Sequence, residues 1–249
     1  MKKNTFSKTS NETLKNRKSF FKLFKECPIP NDELLSNLGL FINRQKLSRI
    51  LFMNEMYKKI IDVNGVIMEF GVRWGQNLAL FQSFRGMYEP YNHNRKIIGF
   101  DTFEGFPSVD IKDGNNEIAS VGAYSTTKGY ENYLDSVMQF HETESPISHI
   151  KKYEIVKGNA ITKLSDYLDK NPHTIISFAY FDFDIYKPTL ECLKLIKSKL
   201  SKGAIIGFDE LNTKQFPGET TAFDEVFGIN KYKVFRSPIS SAQSYIIWE

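Results

Sequence analysis

The sequence predicts an α/β protein built on a doubly wound, mostly parallel sheet, and three observations lead there. Apolar runs that stop at a glycine or an acid recur at residues 66–70, 96–101, 153–158, 175–181 and 203–208, with helical patterns between them. The run at 175–181 is nearly all apolar, as a central strand covered on both faces should be. Two more strand-like runs, 232–235 and 244–248, are joined by Ser-Pro-Ile-Ser-Ser and read as a closing antiparallel hairpin, giving seven strands.

At 249 residues the chain suffices for one well-buried domain with an N-terminal addition. No apolar run approaches the ~20 residues that span a bilayer, and the start has basic residues without the apolar stretch of a secretory signal. Cys27 and Cys192 form no CxxC pair, which excludes a disulfide framework or zinc ribbon and leads us to expect the cytoplasm. The net charge of +4 is uneven: residues 1–25 carry +7 and the rest −3. The body has no basic stripe with interleaved aromatics, so nucleic acid is not an expected partner.

In chain order, residues 1–25 read as a basic, flexible, solubilising tail. Residues 26–62 read as a helical cap, starting near Asn31 or Asp32 and divided at Gly39, with apolar residues at helical spacing up to Ile61. Arg44, Lys46 and Arg49 lie on one face of it, to meet an anionic acceptor or to face water. The α/β domain spans 63–249. Its first strand, Val66, Ile67, Met68 and Phe70, runs into a tight turn over residues 71–75 and then a helix from about Gln76. Glycine suits a backbone that turns sharply and admits a ligand closely. The Glu69 carboxylate sits at this strand's end and Asp101 ends the next strand, where doubly wound sheets hold ribose hydroxyls. Two such acids one βαβ unit apart point to a nucleoside pocket.

The spacing Glu69-x-Gly71-x-x-x-Gly75 lacks the first glycine pair of a dinucleotide fingerprint. It resembles the first motif of the class I S-adenosylmethionine-dependent methyltransferases. The string that follows, DTFEGFP at residues 101–107, narrows the resemblance: it is similar to the DSFEGLP signature of the macrocin O-methyltransferase (TylF/MycF) family, with Thr102 for Ser and Phe106 for Leu. The resemblance implies a Rossmann-like class I methyltransferase fold with an N-terminal helical cap, and S-adenosylmethionine as cofactor. It places Glu69, Gly71, Gly75, Asp101 and Thr102 around that cofactor, with Gly158, Asn159 and Ala160 beside the adenine. It covers about residues 40–249, patchily in 108–150.

Residues 108–150 are rich in Asp, Asn, Gly, Ser and Thr and read as a lid or acceptor-binding insert outside the core, with one helix over 129–140. Tyr124, Tyr130, His141 and His149 are its candidate contacts. After the third and fourth strands come Asp182 and Asp184, then a helix with Pro188 in its first turn. Asp209 and Glu210 end the fifth strand, and residues 216–227 read as a turn and a helix.

Asp182, Asp184, Asp209 and Glu210 thus share the edge where open α/β sheets bind ligands. Crowded acids repel one another unless a cation neutralises them, and an all-oxygen set suits Mg²⁺ ahead of Mn²⁺ or Ca²⁺. The resemblance implies the same: FDFDIYKPT is similar to the family's DxDxYxxT segment, and Asp209-Glu210 stands at its metal-binding Asp-Asp pair. Asp182 is expected at both cofactor and metal, and Asp182 or Asp184 as catalytic base. The expectation is a Mg²⁺-dependent O-methyltransferase acting on a hydroxyl of a sugar or sugar-like precursor, free, phosphorylated or nucleotide-linked, in a bacterial natural-product or surface-polysaccharide pathway. A homo-oligomer stays open. The alternatives are a nucleotide-sugar transferase that uses the DxD, and a non-catalytic methyltransferase-like scaffold subunit.

Overall fold

The computed structural model describes residues 10–115 and 118–249. Its strands are β1 (Val66–Phe70), β2 (Ile97–Asp101), β3 (Tyr153–Lys157), β4 (Ile176–Phe181), β5 (Leu200–Phe208), β6 (Phe235–Arg236) and β7 (Ser244–Ile247). They form one sheet in the order β3-β2-β1-β4-β5-β7-β6, with β7 antiparallel to both neighbours. The chain winds outward from β1 to β3, returns to β4 and winds the other way. The strand order therefore reverses between β1 and β4, and such a reversal opens a crevice above the strand tips.

Alternate residues of each strand supply the two faces. On one, Met68, Phe70, Phe100, Phe181 and Phe208 pack against α6 (Ala160–Lys170), α7 (Tyr186–Ile196) and α8 (Pro217–Phe227). On the other, Ile67, Ile97, Phe178 and Ile205 pack against α3 (Arg44–Lys59), α4 (Gln76–Tyr88) and α5 (Tyr130–Thr143). The register levels the strand tips. Phe70 is paired with Phe100 and Phe181, and Phe181 with Phe208. Their rings lie 5.3, 4.6 and 5.7 Å apart. The next residues, Gly71, Asp101, Asp182 and Asp209, emerge together at the sheet's upper edge.

Four expectations need correction. Asn11–Lys25 is no flexible tail: it forms α1, capped by the Ser10 side chain and leaning Phe20 and Phe24 on Phe41. Residues 1–9 of that segment lie outside the described residues. Gly39 does not divide the cap, because α2 (Asn31–Leu34) and a 3-10 helix (Leu35–Phe41) run through it, and Asn43 caps α3 instead. The insert is not all outside the core. Leu134 and Met138 of α5 are buried in it, and Glu142, 1% exposed, pairs with Arg85 of α4 and with Lys152. The penultimate strand is also shorter and later than residues 232–235 suggest. Among the described residues no helix is long and apolar enough to cross a membrane.

Candidate active site

A crevice of about 360 Å³ opens above the tips of β1, β2, β4 and β5. Every residue expected at cofactor or metal except Gly75 lines it: Glu69, Gly71, Asp101, Thr102, Gly158, Asn159, Ala160, Asp182, Asp184, Asp209 and Glu210. Gly75 caps α4 in a left-handed conformation, and a Cβ there would lie 2.2 Å from a Leu134 methyl, so its role is to let α5 pack closely. Gly71 has φ +94, and a Cβ on it would lie 2.1 Å from the Asp182 carbonyl oxygen. This glycine lets the turn after β1 pass close against the backbone leaving β4 beneath the crevice.

The loops above the tips hold strained backbone. Arg73, Phe103 and Asp184, one after each of β1, β2 and β4, have φ of 49°, 58° and 63°, conformations that cost side-chain-bearing residues about 1–3 kcal/mol and gather at functional sites. Asp101 fixes two of these loops at once, its carboxylate accepting from the Arg73 N–H at 2.7 Å and the Phe103 N–H at 2.6 Å. The carboxylate keeps acceptor capacity for a ligand hydroxyl. The Thr102 hydroxyl donates to the Gly105 carbonyl and so shapes the loop that carries Asp101. Asn159 caps α6 through the Ile161 N–H.

Glu69 is 1% exposed and receives 2.7 Å from the Asn77 amide on one oxygen; its Oε2 and the Asn77 Oδ1 accept nothing. Burial pushes its carboxyl well above the usual range. Two unsatisfied acceptors on the floor of the crevice fit a ligand that brings hydrogen-bond donors, as the polar end of S-adenosylmethionine does.

The four acids of β4 and β5 are met by a residue of the cap. Arg49 of α3 donates to Asp182 Oδ2 at 2.5 Å and to both oxygens of Asp209 at 3.0 and 3.2 Å. Asp209 also accepts from the Tyr180 hydroxyl and the Gln243 amide, each at 2.6 Å. Burial works to raise Asp209, but Arg49 and these donors hold it below the usual range. One guanidinium does not balance the rest. Burial and Asp209 push Asp182 up to about 6 and Glu210 up to about 7. Asp184 rises well above its usual value from burial and Asp182. It is 8% exposed, and no salt bridge or hydrogen bond from a described residue reaches its carboxylate.

The oxygen donors fit a hard divalent cation in chemistry. Their arrangement here does not gather three of them: among the described residues no such group is set to hold a metal, and Arg49 lies between Asp182 and Asp209. The counter-cation expected from the acids is thus supplied in part by the protein. Sequence reasoning left Arg49 between acceptor and solvent; its one signal is Lys46, one helical turn away and also lining the crevice. Of the insert's candidates, Tyr124 lines the crevice under the Arg73 guanidinium, 4.8 Å from its ring. Tyr130 donates to the Trp74 carbonyl, while half-buried His141 and exposed His149 stand away from the crevice lining.

No model of a known protein family matches the chain, and no curated sequence does. Solved structures do. CalS11, a calicheamicin methyltransferase, is 40% identical, with 98% of this chain and 95% of that one covered at a TM-score of 0.94. The apo structure of CalS11, described as a TDP-rhamnose 3'-O-methyltransferase of calicheamicin biosynthesis, superposes at 37% identity and 0.86, covering 98% and 97%. The O-methyltransferase NovP, 19% identical over 81% and 80% at a TM-score of 0.59, shares the fold. These relatives leave the glycosyltransferase reading of Asp182-x-Asp184 without support. With the Glu69-Gly71 turn and the DTFEGFP loop meeting over one crevice, the chain belongs to the class I S-adenosylmethionine-dependent methyltransferases of the macrocin O-methyltransferase (TylF/MycF) family, and it is an O-methyltransferase.

Proposed function

We propose that the chain methylates a hydroxyl of a sugar carried on a nucleotide, in the making of a bacterial natural product or surface polysaccharide within the cytoplasm. The observation that carries this reading is the near-complete overlap at 37–40% identity with CalS11, which is described as acting on TDP-rhamnose. Lys46, on the cap side of the crevice, supplies positive charge suited to the diphosphate of such an acceptor.

S-adenosylmethionine, when bound, supplies a methyl already activated by its sulfonium. The residues of the chain then have two tasks, orientation and proton removal. Asp101 and Glu69 position the donor from the β2 and β1 tips, and fixed geometry alone is worth effective molarities of about 10⁵ M or more. Asp184, buried and with no salt bridge or hydrogen bond from a described residue to its carboxylate, is the better placed of the DxD pair to accept the acceptor's proton. Its raised affinity for a proton suits that task. Asp182 and Asp209, joined by Glu210, would be the residues to hold Mg²⁺, and its charge would lower the pKa of an acceptor hydroxyl.

The test is to incubate the enzyme with S-adenosylmethionine and a panel of nucleoside diphosphate sugars, with Mg²⁺ or EDTA, and follow products by mass spectrometry. A sugar nucleotide one methyl heavier is expected. Methylation only of sugars already joined to an aglycone would refute the nucleotide-linked acceptor, and full turnover in EDTA would refute the metal.

A further inference from the structure

The insert reaches across to α7 and α8 through one buried acid. Asp113 is 1% exposed and ends a 3-10 turn, Ile111–Asp113. One of its oxygens accepts from the Asp110 N–H at 2.7 Å, which closes that turn on itself. The other accepts from the N–H of Tyr186, the first residue of α7, at 2.5 Å. The first N–H groups of a helix have no partner inside it, and the residue before Tyr186 is Ile185, whose side chain cannot cap. The cap of α7 is therefore a carboxylate 73 residues upstream, and the positive end of the helix favours its charge. A Cβ on Gly218, in the first turn of α8, would lie 2.2 Å from the same oxygen. The lack of a side chain at Gly218 is what seats Asp113. Two further contacts tie the insert to this corner: Phe106 packs with Ile185 and Phe216, and Lys112 donates to the Tyr186 hydroxyl at 2.9 Å and pairs with Glu225 of α8 at 2.6 Å.

The residue this corner controls is Asp184. Its φ is 63°, and a side-chain-bearing residue stays in that region only where its surroundings hold it. β4 holds the chain as far as Asp182, whose N–H donates to the Phe70 carbonyl. Among the described residues the N–H groups of Phe183, Asp184 and Ile185 donate no hydrogen bond, and the next one along, that of Tyr186, goes to Asp113. We propose that Asp113 is a positioning residue: by capping α7 from the insert it fixes the turn that aims Asp184 into the crevice, so that turnover requires the insert to be docked. The proposal rests on the reading of Asp184 as the base. Asp184 and Ile185 line the crevice and Asp113 does not, so Asp113 acts on the reaction only through that turn.

Steady-state rates with S-adenosylmethionine and TDP-rhamnose, calorimetry with S-adenosylhomocysteine, and hydrogen exchange of the unliganded chain test this. Asp113→Ala should lower kcat about tenfold or more, with KM and S-adenosylhomocysteine affinity close to native. Asp113→Asn keeps an oxygen for the Tyr186 N–H and should restore most of that loss. Asp113→Ser, with a side chain too short to reach, should show the loss as well and serves if the alanine variant fails to fold. In the Asp184→Asn background, Asp113→Ala should add less than about a twofold further loss. Amides 183–187 should exchange faster in the alanine or serine variant and regain protection in the asparagine one, a readout that needs no acceptor. Unchanged exchange there would overturn the proposal whatever sugar the enzyme accepts. Native kcat in Asp113→Ala beside an inactive Asp184→Asn would overturn it alone, as would a full further loss in the double variant or a matching fall in S-adenosylhomocysteine affinity. Unimpaired turnover by Asp184→Asn would instead remove the reading of the base, and the proposal with it.

Discussion

Replacing Arg49 with methionine keeps the length of the side chain and removes the only basic group among the described residues that forms ion pairs with Asp182 and Asp209. Breaking a fully buried ion pair by deleting one partner costs about 3–5 kcal/mol, chiefly the burden of the charge left behind. The pairs here are 23%, 23% and 11% exposed at Arg49, Asp182 and Asp209, so water relieves part of it and a loss of about 2–3 kcal/mol is expected. For a chain of this size that lowers the melting temperature by roughly 5–10 °C. The pH dependence identifies the cause. In the native protein Asp209 is held below its usual pKa, so its contribution is present at neutral pH and lost only as the pH falls through that low value. Without Arg49, burial dominates and Asp209 rises, as Asp182 already does to about 6. A carboxyl raised in the folded state favours folding below its unfolded pKa and loses that advantage as the pH climbs through the folded one. The gap between native and variant should therefore be widest above pH 7 and narrow toward pH 5. Urea titrations in EDTA at three pH values measure it. A loss under about 0.5 kcal/mol, or one independent of pH, would show that Arg49 is not the counter-charge of these acids.

The cofactor side of the crevice gives three further expectations. Gly71→Ala should cost about 3 kcal/mol or more and abolish S-adenosylhomocysteine binding by calorimetry, since the new Cβ meets the Asp182 carbonyl; a soluble variant with native affinity would contradict the packing. Glu69→Gln replaces a buried acid that lacks a second partner. It should leave the unliganded fold as stable or about 1 kcal/mol more stable while weakening cofactor affinity about tenfold, and a stability loss with unchanged affinity would make the residue purely structural. Asp184→Asn should lower turnover by about 10²-fold or more while S-adenosylhomocysteine affinity holds, and unimpaired turnover in steady-state assays would remove Asp184 as the base.

Much of the fold was legible because its signals are local. A phenylalanine followed by an acid ends β2, β4 and β5 in turn, as Phe100-Asp101, Phe181-Asp182 and Phe208-Asp209. That repeat states both halves of the design, a buried ring that sets the register and a carboxylate just past it. Where elements were misread, burial was carried by few residues among many polar ones. The core contact of α5 rests on Leu134 and Met138, four apart, and on Glu142, a charge whose partners Arg85 and Lys152 stand on other elements. An acid satisfied by tertiary ion pairs looks in sequence like one that faces water. The helix α1 was hidden for another reason: its lysines mask the spacing of Phe20 and Phe24 and the Ser10 cap.

Arg49 could not be read because its partners lie 133 and 160 residues downstream, and nothing short of the folded sheet brings α3 over the tips of β4 and β5. Its presence changes what the four acids mean. With one guanidinium among Asp182, Asp184, Asp209 and Glu210, the site cannot keep all four ionised at neutral pH without further positive charge, and the raised affinities of Asp182, Asp184 and Glu210 for protons express that shortfall. Protons, a divalent cation and the cap's own basic side chains are interchangeable ways of meeting it. Arg49 reaches them from α3, and so the cap, remote in sequence from the acids it meets, bears directly on the ionisation of these four carboxylates.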